Sequence, residues 1–336
     1  MKAIELKQIG RSYEVVAFGA EPIPPDSIVD GSIVDRASVA AAVRRLFDDR
    51  HIATRDVAAS LSGNAVIVKK ISLPVMTEAE LAESIYWDAE QYIPFDIQDV
   101  NLDYQVLETP HTATGAKATM DVLLVAAKNE KIADCAGVID QAGRTVVVVD
   151  VDAFALQNAY EANYGAEADA VVVLLNAGAG ATNVNILKGG QPVFTRDLSI
   201  GGNAYTEALQ RELNLTCEQA DRLKCGQDVP GAAYEDARPA LRAVTEHVIL
   251  EIQKTLEFFK ATAASDRIHR IVVSGGASRA EGFAEMLAER FEAPVEAFDP
   301  FKTIAFDAAK FQVDAADVAP TLAVAVGLAL RRAGDR

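Results

Sequence analysis

Two glycine-rich turns, about a hundred residues apart, carry the most legible chemistry in this chain. Val171 to Leu175 runs into Asn176-Ala177-Gly178-Ala179-Gly180-Ala181-Thr182, and Ile271-Val272-Val273 runs into Ser274-Gly275-Gly276-Ala277-Ser278. Glycine lets backbone N–H groups approach phosphate oxygens with no side chain in the way. Two such turns facing each other across a cleft would wrap a nucleotide from opposite sides. Either one alone reads equally as an ordinary tight turn after a buried strand.

Other chemistries find less support. Cys135, Cys217 and Cys225 have neither the even count of a disulfide framework nor Cys-x-x-Cys spacing, so they read as reduced thiols of a cytosolic protein. His51, His111, His247 and His269 are scattered, and no transition-metal centre is expected. Asp150, Asp152 and Asp197 lie near the ends of expected strands, where a carboxylate could orient an attacking hydroxyl or water. Helix capping and solvated loops account for them as well.

The formal net charge of −17 counts against a nucleic-acid partner and against direct contact with an anionic membrane surface. No apolar run approaches the roughly 20 residues that span a bilayer. The start, Met1 to Lys7, alternates like a strand rather than a signal peptide. A cytoplasmic protein is expected, held at any membrane by a partner. With 336 residues, half of them apolar, the chain can bury two cores.

The elements that would position the turns follow from periodicity. Lys2–Lys7 and Ser12–Gly19 alternate as a hairpin turned at Ile9-Gly10-Arg11. Asp35 or Ser38 can cap a helix over Val39–Phe47. Val57–Leu61 and Ala65–Leu73 read as strands, and Thr77 with Glu80 forms a capping box for a helix through Trp87 towards Tyr92, stopped at Ile93-Pro94. Strands over Val100–Leu107 and Met120–Ala127 flank a polar stretch, Pro110 to Lys117, expected to be a mobile loop. A helix over Lys131–Ala142, a strand over Thr145–Val149 and a helix capped by Asp152 through Tyr160 follow. Beyond Asn163–Asp169 the pattern is three strands, helices over Tyr205–Arg211, Cys217–Lys224 and Pro239–Lys260, a strand over Ile268–Ser274, and helices over Phe283–Arg290 and Pro320–Arg331. Both halves mix strands and helices, which points to duplicated α/β domains around a cleft.

Three segments carry a resemblance: Leu73-Pro74-Val75-Met76-Thr77-Glu78-Ala79-Glu80-Leu81, Trp87-Asp88-Ala89-Glu90-Gln91-Tyr92-Ile93-Pro94-Phe95, and Asn101-Leu102-Asp103-Tyr104. They resemble the type IV pilus assembly PilM family, in the FtsA-like branch of the actin-like ATPase superfamily, and the likeness covers nearly the whole chain. It implies a two-lobed α/β actin-like (ribonuclease H-like) ATPase fold. Its parts would be subdomain 1A at 1–64 and 146–168, an FtsA-type subdomain 1C at 65–145, subdomain 2A at 169–200 and 267–318, subdomain 2B at 201–266, and a helix at 319–336 returning to the first domain.

By the same resemblance, Asn176, Gly178, Ala181 and Thr182 would form the second phosphate loop, with Asn176 towards Mg²⁺. Gly201–Gly226 would be the connecting helix region, placing Lys224 beside ribose and base, and Gly275, Gly276 and Ser278 would bracket adenosine. ATP and Mg²⁺ are thus the implied cofactors. Two departures are visible. Asn176 stands where the family usually has aspartate, losing a charge that hard cations favour. The family's first strand and Asp-x-Gly-type first phosphate loop would precede the hairpin that begins at Lys2. That strand would lie centrally in the first sheet, so a natural polypeptide extending upstream of Met1 is expected, and the chain as given is expected to bind nucleotide weakly or not at all.

The implied function is a cytoplasmic, inner-membrane-associated scaffold that binds the N-terminal tail of PilN and connects to pilus motor ATPases. Ile67, Val68 and Tyr92-Ile93-Pro94-Phe95 are the candidate contacts for that tail. An active ATPase or small-molecule kinase of the same fold, and an FtsA-like filament former bound to membrane by a C-terminal helix, are the alternatives. The polar C-terminus from Leu330 to Arg336 is too short for such a helix.

Overall fold

The structure, a computed structural model, describes residues 1–29, 31–111, 119–168, 170–262 and 267–335. The strands are β1 Lys2–Ile9, β2 Ser12–Ala20, β3 Ile28–Val29, β4 Ser32–Ile33, β5 Asp56–Leu61, β6 Val66–Pro74, β7 Val100–His111, β8 Thr119–Lys128, β9 Thr145–Val151, β10 Val171–Ala177, β11 Thr182–Lys188, β12 Gln191–Leu198, β13 Arg270–Ser274, β14 Val295–Ala297 and β15 Ile304–Ala305. The helices are α1 Arg36–Asp49, α2 Glu78–Glu90, α3 Asn129–Gln141, α4 Asp152–Tyr164, α5 Gly202–Leu213, α6 Cys217–Lys224, α7 Tyr234–Thr262, α8 Phe283–Phe291, α9 Ala308–Phe311, α10 Ala315–Val318 and α11 Ala323–Ala329.

The second half is built on a five-stranded sheet in the order β12-β11-β10-β13-β14, antiparallel up to β10 and parallel beyond it. Its central strand β10 is a near-continuous apolar run because both faces are covered. On one face Val171, Val173 and Leu175 pack with Tyr205, Leu209, Ile252, Leu256 and Phe283 of α5, α7 and α8. On the other, Val172 and Leu174 meet Leu156 and Tyr160 of α4, Val326 of α11 and Val15 of β2. The two halves therefore share a core in which α4 and α11 lie between the sheets.

Among the described residues of the first half the strands fall into separate sheets. Strands β1, β2 and β15 form one piece in the order β1-β2-β15, and β5 pairs with β9 in another. Between β1 and β5 lies a largely apolar cavity of about 520 Å³, floored by Val39, Val43 and Val138 and roofed by Leu328. A third sheet, β6-β8-β7, carries α2 on one face and encloses its own core of Ile71, Leu81, Ile85, Ile93, Val122 and Leu124.

Several boundaries differ from expectation for identifiable reasons. Asp152 does not cap α4: it is the first helical residue, and its carboxylate instead accepts the Ser60 hydroxyl. Asp35, not Ser38, caps α1, accepting from Ser38 N–H at 3.0 Å. The long helix starts five residues before Pro239, since proline there forfeits only one N–H bond and Asp236 and Asp228 satisfy Ala233 N–H and Tyr234 N–H. The last expected helix begins as a 3-10 turn, Ala319–Leu322, before α11. Of the expected mobile loop, Pro110 and His111 belong to β7, while 112–118 lie outside the described residues, as does Asp169 in the expected boundary. The capping box at Thr77 and Glu80 is formed on both sides.

Candidate functional site

The two glycine-rich turns come together because the strands feeding them are neighbours. β10 and β13 run parallel with Asn176 opposite Ser274, so both chains leave the sheet at the same edge. Gly275 is required there. Its φ is +86°, and a Cβ would sit 2.2 Å from the Ala177 carbonyl oxygen. Its N–H donates to Pro320 O at 2.9 Å, and the Ser278 hydroxyl donates back to Gly275 O at 2.8 Å. Gly276 is exposed and a Cβ on it would meet nothing within 4 Å.

The first turn is closed by Gly178 N–H donating to Ala181 O at 2.9 Å. The start of α5 docks on it: Gly202 N–H donates to Gly178 O at 2.8 Å and Asn203 N–H to Ala179 O at 2.7 Å. Gly201 is the residue that permits this approach, since a Cβ would lie 2.6 Å from Gly178 O. The same helix start reaches the second turn, where a Cβ on Gly202 would come 3.7 Å from Ala277 Cβ. Turn, helix start and second turn thus form one patch of small residues.

The side chains expected to touch ligand are largely engaged within the protein. Thr182 is fully buried and its hydroxyl donates to Ile200 O at 2.8 Å, so it is not directed at a phosphate as expected. Lys224 Nζ is held at 2.6 Å from Asp221, 2.8 Å from Thr206 and 3.4 Å from Gly202 O, at the back of α5. That ammonium, with Thr206, holds the Asp221 carboxyl below the usual carboxylate range even though burial opposes it. Among the described residues no group of three His, Cys, Asp or Glu side chains could hold a metal ion. For a nucleotide the fit is partial. The exposed backbone of Ala179, Gly180 and Gly276, free of overhanging side chains, suits phosphate and sugar, whereas Gly178 N–H and the Thr182 hydroxyl are already used.

Asn176 starts a polar relay that crosses between the halves. Its Nδ2 donates to Asn183 Oδ1 at 2.8 Å, Asn183 Nδ2 donates to Asp197 Oδ1 at 2.8 Å, and the other Asp197 oxygen accepts Gly63 N–H from the loop after β5. Asp152 lies close by. Burial pushes its carboxyl above the ordinary value, Ser60 and Ser62 oppose this, and the charges of Asp197 and Asp150 add to it. Asp150 is likewise raised by burial despite Val151 N–H and Arg331, whose Nη1 donates at 2.9 Å. The three acids singled out from sequence therefore gather at the junction, but each is tied to a structural partner. Gly63 and Gly201 were not singled out for these contacts. Only the Gly201-Gly202 pair gave a sequence signal.

The expected partner residues divide by strand period. Ile67 packs on the β6-β8-β7 core with Ile71 and Leu73, whereas Val68 points to the opposite face with Lys70 and Ser72. Ile93 is buried in that core, Tyr92 and Phe95 pack half-buried against it, and Pro94 is exposed. Lys128 Nζ lies 4.1 Å over the Phe95 ring.

Two α/β lobes joined through α4 and α11, with polar junction and paired glycine turns, define an actin-like fold. The ethanolamine utilization protein EutJ from Carboxydothermus hydrogenoformans shares it at a TM-score of 0.53 and 14% identity, over 98% of this chain and 89% of that one. The chain belongs to the type IV pilus assembly protein PilM family, whose pattern it matches over residues 1–333. A solved PilM-PilN type IV pilus biogenesis complex contains a chain 31% identical to it, with a TM-score of 0.86 over 98% of this chain and 94% of that one.

Proposed function

We propose that this protein is an actin-like scaffold of type IV pilus biogenesis whose β6-β8-β7 module, with its neighbour, grips the N-terminal cytoplasmic tail of PilN. The observation that carries the proposal is the likeness, over nearly all of both chains, to a protein solved as a PilM-PilN complex. No helix among the described residues is long and apolar enough to cross a membrane, so a membrane-anchored partner would supply attachment at the cytoplasmic face of the inner membrane. The β6-β8-β7 sheet turns the face bearing Val68 away from its own core, and β6 packs against β12 of the second lobe. An extended tail lying along that junction would feel any change in lobe closure.

Adenine nucleotide between the turns at Gly178–Ala181 and Gly275–Gly276 would be the agent that biases closure, and Asn176 would be the residue turned towards a Mg²⁺ ion bound with it. Helix α11 is built into the shared core through Ala323 and Val326, so it would not itself serve as an FtsA-like membrane helix. Links to pilus motor ATPases would follow from the scaffold role. Calorimetry with a synthetic PilN tail peptide tests the reading. Micromolar binding that Val68→Asp weakens at least about tenfold is expected, about 1.4 kcal/mol. Absence of binding, with the protein folded by circular dichroism, refutes it.

A further inference from the structure

The outer face of α2 takes no part in the groove just described, and it is unusual. The helix buries Leu81, Ile85 and Ala89, and therefore presents Ala79, Ala82, Glu83, Tyr86, Trp87 and Glu90 outward. Trp87 is the chain's sole tryptophan and is 73% exposed; Tyr86 beside it is 51% exposed. Side chains on a helix lean towards its N-terminus, so Tyr86 lies over Ala82 and Glu83 and Trp87 over Glu83 and Ser84, one turn earlier. The two exposed rings lie side by side on the outer face of the helix. Leaving the largest apolar side chain of the sequence in water forgoes burial worth about 2 kcal/mol or more. An uncovered pair of this kind marks an interaction surface more than packing does.

Charge selects what covers it. From Glu78 to Glu90 the helix carries Glu78, Glu80, Glu83, Asp88 and Glu90 and no Lys or Arg. Carboxylates flank the rings at Glu83 and Glu90. A second copy meeting this face about a twofold axis would set like charges against one another. An anionic lipid surface would be repelled in the same way. A cationic segment is attracted on both counts, since guanidinium and ammonium groups pair with carboxylates and stack over indole and phenol rings. We propose that the outer face of α2, centred on Tyr86 and Trp87, docks a basic, partly apolar peptide segment of another protein, at a site separate from the tail groove.

Because Trp87 is unique, its own fluorescence reports the event. The probe is an eight-residue peptide alternating arginine and leucine, titrated into the full chain, with oligolysine of equal charge and a glutamate-leucine peptide as comparisons. The expected result is a blue shift of Trp87 emission that saturates with the arginine-leucine peptide and not with the other two. By labelled-peptide anisotropy, affinity should fall at least about tenfold in Trp87→Ala and severalfold in Glu83→Gln/Glu90→Gln. Both variants change exposed side chains, and circular dichroism checks that they fold. Equal binding of oligolysine, or binding that survives Trp87→Ala, would show only attraction to an acidic protein and overturn the proposal. Trp87-dependent dimerisation on ultracentrifugation, or Trp87-dependent sedimentation with phosphatidylglycerol vesicles, would overturn it in favour of a second copy or a membrane. The tail-peptide measurement on Val68→Asp is independent of all these outcomes.

Discussion

A Cβ added to Gly327 would sit 1.6 Å from the carbonyl oxygen of Ala155. Helix α11 therefore crosses α4 at backbone contact, and this crossing forms the shared core on which both sheets rest. The glycine is a steric requirement of the joint between the lobes.

The first prediction follows directly. Gly327→Ala gains up to about 1 kcal/mol of helix propensity, but relieving the overlap means lifting α11 off α4, and overpacking of that kind costs about 1–3 kcal/mol or more. The loss should win. A net fall of about 2 kcal/mol, read as a lower urea midpoint, is expected, and an unchanged midpoint would contradict the contact.

Gly275 and Gly276 are adjacent and should behave oppositely. At Gly275 alanine meets both a positive φ and the Ala177 carbonyl at 2.2 Å, so Gly275→Ala should cost about 2 kcal/mol or more in thermal or chemical unfolding. At Gly276 there is open space, so Gly276→Ala should leave stability within about 0.5 kcal/mol. Any nucleotide binding measured by calorimetry should nevertheless drop in Gly276→Ala, because the new methyl covers exposed backbone.

Asp152 gives a pH prediction with a definite sign. Its folded carboxyl titrates above the ordinary value of 3.8, so from that pH upward the folded state holds more protons than the unfolded one. Stability attributable to this group therefore falls as pH rises from about 3.8 through the raised folded value. Asp152→Asn keeps an acceptor for Ser60 and removes the buried charge. It should raise the melting temperature at pH 7 and flatten the pH dependence above pH 4; a lower melting temperature at pH 7 would show the charge to be stabilising.

Asp197 holds Asn183 in its own lobe and Gly63 N–H from the other. Asp197→Ala should cost about 1–3 kcal/mol by stranding both donors. Hydrogen exchange at 62–64 should accelerate, and solution scattering should show a wider separation of the lobes. Unaltered exchange in that loop would mean the relay does not hold the junction.

The elements themselves were legible wherever local chemistry fixes them. The capping box of Thr77 and Glu80, the alternation of Lys2 to Lys7 and the apolar run of β10 each translate into structure within a few residues. The two glycine turns were expected to face each other across a cleft, but β10 and β13 are parallel neighbours in one sheet and deliver both turns to the same edge of one lobe. Side-chain allegiance was also less legible than the elements. Thr182 looked like a ligand contact and is a buried hydroxyl satisfied by Ile200 O. Ile67 and Val68, adjacent in sequence, face opposite sides of β6. The short strands β14 and β15 gave no periodic signal, since two or three residues are too few for one.

By itself the sequence determined the two-lobed α/β class, the family and the places where backbone must run bare, because propensity, period and glycine act through neighbours along the chain. Tertiary structure alone decided that Gly327 lies on Ala155, that Gly63 reaches Asp197 and that Trp87 is left in water. Each of those depends on which surfaces meet across distances of a hundred residues or more, or on which surface nothing meets, and no local pattern encodes that.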